Sequence, residues 1–289
     1  MVSKQFVMKR ILMTFAVFLA VCSAVLAQKV KIRSEKAEDH VLSIMSFNIR
    51  HGKGMDGKVD LNRIAREISL VQPDVVALQE VDKETKRVDG VDLPKVLARM
   101  AGEYAGFFAP AMDYDGGKYG NAILTKKAPL DMTAYPLPGK EEPRVLLLLE
   151  FDDYYFCSLH MSLDSASRVE ACRKLAQIAK KGIKPDKLFF VAGDFNMVPN
   201  SVEMRVLSES FSVLSPFEIK TFPSDNPDRT LDYILVYRGG AGKSFLKKLE
   251  KGKLGIASWV QPEKVASDHR PVFVVISKSD SFVSDVVGE

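Results

Sequence analysis

The amino-acid sequence predicts a layered α/β fold, and three observations carry that expectation. Runs that read as strands outnumber helical patterns, several of those runs are apolar throughout, and amphipathic helices stand between them. A strand that is apolar on both faces has to be covered on both. Sheets must therefore pack on each other and be covered by helices as well. Pattern alone leaves the strand order open.

Residues 41–47 read as the first strand. Asp60 caps a helix that carries Leu61, Ile64, Ala65 and Ile68 at helical spacing and stops before Pro73. Val75, Val76, Ala77 and Leu78 form a short buried strand, residues 93–102 a second helix, and residues 121–124 a further strand. Residues 144–151 and 154–159 pair as a hairpin across Asp152 and Asp153. Ser165 is expected to cap an amphipathic helix with Val169, Cys172, Leu175, Ala176, Ile178 and Ala179 inward and Gly182 as its stop. Strands over 188–192, 231–237 and 272–276 complete the pattern.

The N-terminus reads as targeting rather than fold. Lys4, Lys9 and Arg10 precede an uncharged apolar run over 11–27, and Val25, Leu26 and Ala27 offer the short residues of a cleavage site. The run falls short of the roughly 20 residues of a membrane span, so a signal peptide over 1–27 is expected, with a periplasmic or secreted product. Cys22 supplies a lipoprotein alternative, although Val21 just before it suits that processing poorly. A flexible lead-in over 28–40, one domain over 41–277 and a tail over 278–289 follow. No linker, repeat or low-complexity tract divides the domain.

The signal holds three of the 41 Lys and Arg and none of the 37 Asp and Glu, so its removal lowers the net charge from +4 to +1. Near-neutrality argues against a strongly basic nucleic-acid binder. Cys157 in a strand and Cys172 in a helix read as buried free thiols without metal-site spacing. Neither a stable protein partner nor a transmembrane span in the mature chain is expected.

Polar residues end the apolar strands where packing gives no reason for them. Asn48 follows the first strand and Glu80 ends Ala77-Leu78-Gln79. Asp194 and Asn196 lie in Gly193-Asp194-Phe195-Asn196, Asp232 in Leu231-Asp232-Tyr233, and Asp268 and His269 in Ser267-Asp268-His269-Arg270-Pro271. His160 ends its strand in the same way. Each has a bland explanation alone: Asn48 as a strand-end cap, Glu80 as a solvated carboxylate, Asp194 and Asn196 as turn residues before Pro199. Together they form an oxygen-rich set with few His and no Cys, which favours Mg²⁺, with Mn²⁺ as substitute, over Zn²⁺.

These segments, in this order, resemble the endonuclease/exonuclease/phosphatase superfamily over nearly all of residues 41–276. The resemblance implies a four-layer α/β sandwich, two mixed β-sheets packed face to face with helices on the outside, and a site at one end. It implies a Mg²⁺-dependent hydrolase of phosphoester bonds using direct water attack. Glu80 would be the main metal ligand, with Asn48 and Asp268 beside the metal. Asp194 would orient or activate the water, Asn196 would contact the phosphate, and His269, supported by Asp232, would stabilise the transition state or the leaving oxygen. His160 stands where similar nucleases and sphingomyelinases carry a second catalytic His. Tyr119 and Asn121 match the family's central strand, and Arg144 is placed to neutralise a phosphate. One departure is visible: deoxyribonuclease-like members partner the first His with a carboxylate near the Tyr119 segment, and residues 118–124 hold none.

The substrate stays open between nucleic acid, a lipid head group and a small molecule. A nuclease should carry basic or aromatic loops that track a backbone, and an inositol-type phosphomonoesterase a Lys/Arg cluster, which is not evident. A lipid phosphodiesterase should expose an aromatic insertion, for which Phe107-Phe108 and residues 211–217 are the candidates. A non-catalytic binding protein on the same fold is the remaining alternative.

Overall fold

Alternation along the strands decides where each layer lies. The computed structural model describes residues 40–278. The signal over 1–27, nearly all of the lead-in and the tail from 279 lie outside the described residues. In chain order the elements are β1 (His40–Asn48), α1 (Leu61–Val71), β2 (Val75–Lys83), α2 (Leu93–Met100), β3 (Ala105–Tyr114) and β4 (Gly117–Thr125). Next come β5 (Asp131–Leu137), β6 (Arg144–Glu150), β7 (Tyr154–His160), α3 (Ser165–Gly182), β8 (Leu188–Asp194) and α4 (Val202–Ser208). The chain ends with β9 (Phe211–Val213), β10 (Asp232–Tyr237), α5 (Ala241–Glu250), β11 (Gly255–Val260) and β12 (Val272–Ser277).

Two mixed six-stranded sheets result, in the orders β11-β12-β1-β2-β4-β3 and β5-β6-β7-β8-β10-β9. The pairs β1/β2 and β7/β8 are parallel, and the helical connections α1 and α3 bridge them. Odd and even positions of each strand go to different layers. Ile44, Val75, Ala77, Phe156, Phe190 and Ile234 meet between the sheets. Met45, Phe47, Val76 and Leu78 pack under Ile64, Ile68 and Leu97 of α1 and α2. Cys157, Leu159, Val191 and Leu235 pack under Cys172, Leu175 and Met204 of α3 and α4. This is the expected four-layer sandwich.

Most local expectations hold, and a few need correction. Asp60 caps α1 by accepting the Asn62 N–H. The cap of α3 is Asp164 rather than Ser165, because the Asp164 carboxylate accepts the Ser167 N–H at 2.9 Å, and Gly182 lies inside the helix. Cys157 and Cys172 are free and buried. Phe107 and Phe108 sit on β3 and pack against the core on its two faces, while Phe211 is buried and Phe217 packs against Tyr233, so neither segment is an exposed aromatic insertion. No helix among the described residues is long and apolar enough to cross a membrane.

Candidate active site

The layer between the sheets turns from apolar to polar toward one end. Along β1 it runs Ile44, Ser46, Asn48; along β7, Phe156, Ser158, His160; along β8, Phe190, Ala192, Asp194. Antiparallel β10 approaches the same end in reverse, through Val236 and Ile234 to Asp232. Period-two alternation thus aims four polar side chains at one place. Register finishes the arrangement: Asp194 lies opposite His160 on β7 and opposite Asp232 on β10. Gly193 permits it, since a Cβ there would stand 2.1 Å from the Leu159 carbonyl oxygen. Behind the sheet Phe195 packs edge-on against Tyr233 at 5.7 Å, which explains the aromatic residue in each motif.

Two departures from regular strand aim the remaining groups. β2 bulges against β4 between Leu78 and Val81, and Glu80 inside the bulge has a φ of 54°. Asn196, just past β8, has a φ of 50°, and its N–H bonds Asp194 Oδ1 at 2.9 Å. Asn takes this conformation readily and Glu at a cost, so the bulge is the more strained of the two.

Asp194 is the hub of the network. Its Oδ2 accepts from Asn48 Nδ2 at 3.0 Å and lies 3.4 Å from His160 Nε2 and 3.5 Å from His269 Nε2. Asn48 Nδ2 also donates to Glu80 Oε1 at 3.0 Å, while its Oδ1 accepts the Arg50 N–H at 3.1 Å. His269 Nδ1 meets Asp232 Oδ2 at 2.9 Å. Asn196 Nδ2 joins His160 Nε2 at 3.0 Å to the Met161 carbonyl at 2.9 Å. Asp268 lies 3.4 Å from Arg50 Nε. Eight of the eleven predicted positions converge here; Tyr119 and Arg144 reach the cleft wall and Asn121 stays behind it.

Burial and charge set the protonation states. Burial lifts the Asp194 carboxyl to about 7, with the nearby His269 charge opposing the rise. Burial works against charge on His269, but Asp232 and Asp194 on either side outweigh it and raise its pKa to about 10. His160 goes the other way: burial, with Arg144 and His269 adding, keeps it well below its ordinary value and neutral at pH 7. Glu80 is pushed up by burial and by Asp268, against the Asn48 hydrogen bond.

Two clusters compete as a metal site. Asp194, Asp232 and His269 bring one ligand atom each within 4.8 Å of one another. A protonated imidazole between two carboxylates already balances that trio, and a metal ligand would have to be neutral. Glu80 and Asp268 repel one another; Glu80 is bonded to the Asn48 amide, with the charges of His269 and Arg144 acting on it, and Asp268 has Arg50 at 3.4 Å. That mutually repelling pair of carboxylates, offering oxygen donors alone, fits a hard divalent cation.

The Endonuclease/Exonuclease/phosphatase family profile matches residues 45–269, from just before Asn48 to His269. The chain belongs to that family. Members hydrolyse phosphoester bonds and generally use a divalent metal. No curated protein sequence matches significantly. Among solved structures, the chain is similar to a mannosyl-6-phosphatase of Bacteroides thetaiotaomicron, at 17% identity over 82% of this chain and 99% of that one, with a TM-score of 0.63. A family member from Beutenbergia cavernae has 19% identity over 82% and 72% of the two chains and a TM-score of 0.61. TDP2 of D. rerio, complexed with single-strand DNA product, has 18% identity over 81% and 98% and a TM-score of 0.59. At these identities the likeness is one of fold.

The family site opens into a cleft of about 510 Å³. Tyr119 lines one wall. Asn121 donates to the Val145 carbonyl at 2.7 Å and ties the two sheets together instead. Arg144 lines the cleft but is buried between Glu141 at 2.7 Å and Glu142 at 2.9 Å, so its charge is already met. His160 Nε2 has Asn196 Nδ2 at 3.0 Å and the Asp194 carboxylate at 3.4 Å beside it. Sequence reasoning missed Arg50, Arg87 and Phe222. Arg87 is held by Asp82 at 2.6 and 2.7 Å and lies over the Tyr114 ring at 4.4 Å; the Phe222 ring lies 4.7 Å from that of His269. Arg50 and Arg87 follow Asn48 and Glu80 by two and seven positions. Their proximity to those motifs was the available signal. Phe222 offered none, because its loop has no periodic pattern.

Proposed function

We propose that the protein is a Mg²⁺-dependent phosphodiesterase, with Mn²⁺ able to substitute, that hydrolyses its substrate by direct attack of water. The observation that carries this reading is the Asp194 hub, a buried carboxylate with a raised pKa set between a neutral His160 and a protonated His269. A carboxylate titrating near neutrality can take a proton from water at working pH. His269, kept charged and oriented by Asp232, meets negative charge that develops on phosphorus or on the leaving oxygen. Asn196 and the neutral His160 offer hydrogen bonds to phosphate oxygens. Glu80 and Asp268, with Asn48 bridging Glu80 to Asp194, would hold the cation, which would supply Lewis-acid stabilisation of phosphate charge.

Diester rather than multiply charged monoester chemistry is supported by the state of the cleft arginines. Arg87 is paired with Asp82, Arg144 with Glu141 and Glu142, and Arg229 with Asp228 at 2.6 Å. None is left free for a second or third phosphate charge. Residues 1–27 have the pattern of a removable secretory signal, which supports action in the periplasm or outside the cell.

The test is turnover of bis(p-nitrophenyl) phosphate and p-nitrophenyl phosphate with Mg²⁺ or Mn²⁺, with EDTA and Asp194→Ala as controls. Diester turnover that EDTA and the variant both abolish is expected. Turnover of the monoester alone would favour a phosphomonoesterase, and an undiminished Asp194→Ala would refute the mechanism.

A further inference from the structure

The segment between β9 and β10 sends its polar contacts to the loop that bears Asp268 and His269. Ser224 is fully buried within it. Its N–H donates to the Asp268 carbonyl at 2.8 Å, and its hydroxyl donates to the Ser267 carbonyl at 2.6 Å with the Lys264 carbonyl at 3.2 Å. Its own carbonyl accepts from Arg270 Nε at 2.8 Å. Beside it the Arg270 N–H donates to the Thr221 carbonyl at 2.8 Å. One buried serine thus grips the backbone up to Asp268 and the Arg270 side chain just past His269, while Thr221 holds the Arg270 N–H.

A buried serine in a long loop is ordinarily a local turn former, bonded to its own neighbours. Ser224 is different. Its hydrogen bonds reach forty or more positions along the chain, to residues 264–270. The chain two residues earlier also places Phe222 against the His269 ring. Asp268 and His269 sit on a non-strand loop, so nothing in a sheet ladder fixes their backbone.

We infer that Ser224 is a positioning residue that sets the Asp268–His269 backbone in register with Asp194 and Asp232, an inference resting on the function proposed above. Reacting groups displaced by about 1 Å can cost on the order of 100-fold in rate. Ser224→Ala removes only the hydroxyl and should lower kcat by about 10- to 100-fold while KM changes little. Because Asp268 moves with the loop, binding of Mn²⁺ alone, followed by electron paramagnetic resonance without substrate, should weaken as well. Arg270→Leu, which breaks the contact to the Ser224 carbonyl, should reproduce a smaller loss in kcat.

Ser215→Ala is the comparator, since Ser215 is also buried and bonds the Ile234 N–H at 3.1 Å away from this loop. It should leave kcat and Mn²⁺ binding unchanged. The inference is overturned if Ser224→Ala keeps kcat within twofold while His269→Ala is inactive, or if its loss only tracks a loss of folded protein. If His269→Ala is itself fully active, the reading of the site has failed instead.

Discussion

Asp194→Asn should stabilise the metal-free protein while abolishing its activity. The Asp194 side chain is buried at 1% exposure, and its pKa rises from 3.8 to about 7 in the folded state. At 1.36 kcal/mol for each pKa unit, that rise corresponds to a folding cost of ~4 kcal/mol once the carboxylate is ionised. The substitution gives part of this back. An amide has one acceptor oxygen, so either Asn48 Nδ2 or Asn196 N–H loses its partner, at about 1 kcal/mol. His269 also loses one of its two flanking carboxylates. A net gain of roughly 2 kcal/mol remains. The sign depends on pH: a raised carboxyl pKa costs nothing below about 4, where both states are protonated, and its full amount above about 7. Urea unfolding in EDTA at several pH values from 4 to 8 measures it. The variant should match wild type near pH 4 and pull ahead by pH 8. An Asp194→Asn protein no more stable than wild type at pH 8 would refute the idea that a buried, strained carboxylate is the heart of the site.

Two further outcomes follow from the same geometry. Asp232→Asn removes the charge that holds His269 Nδ1 at 2.9 Å, and should lower kcat by about 100-fold or more; a loss under threefold in steady-state turnover would remove Asp232 from the mechanism. The pH profile of kcat/KM should rise as Asp194 loses its proton near 7 and fall only as His269 loses its own toward 10. The base must be empty and the imidazole charged, so a profile flat from pH 5 to 9 would contradict the Asp194 assignment, and a fall well below pH 9 the His269 assignment.

The unread parts of the fold share a cause. The strands without a sequence signature are β3, β5, β9 and β11, and each is at or beside a sheet margin: β11 and β3 end one sheet, β5 and β9 the other. An edge strand buries one side weakly, so β3 and β5 show mostly exposed or half-buried positions and blur the alternation that marks a strand. Central β2, β7 and β8 are covered on both faces and announce themselves as apolar runs. The missed helix α4 is short, at 7 residues, and α5 buries only Gly242 and Phe245 under a polar, lysine-rich surface, which leaves few apolar positions to mark a period.

For the site, the linear order of Asn48, Glu80, Asp194, Asn196, Asp232, Asp268 and His269 already specified oxygen-rich metal chemistry with one imidazole beside it, because ligand chemistry belongs to residue types. Distances and charges belong to packing. Strand register set Asp194 between His160 and Asp232, and burial lifted its pKa to about 7. Contacts between residues far apart in the chain placed Arg50 beside Asp268 and locked Ser224 onto the Asp268 loop. These depend on desolvation and on side chains meeting across sheets and loops, and no window of neighbouring residues contains either.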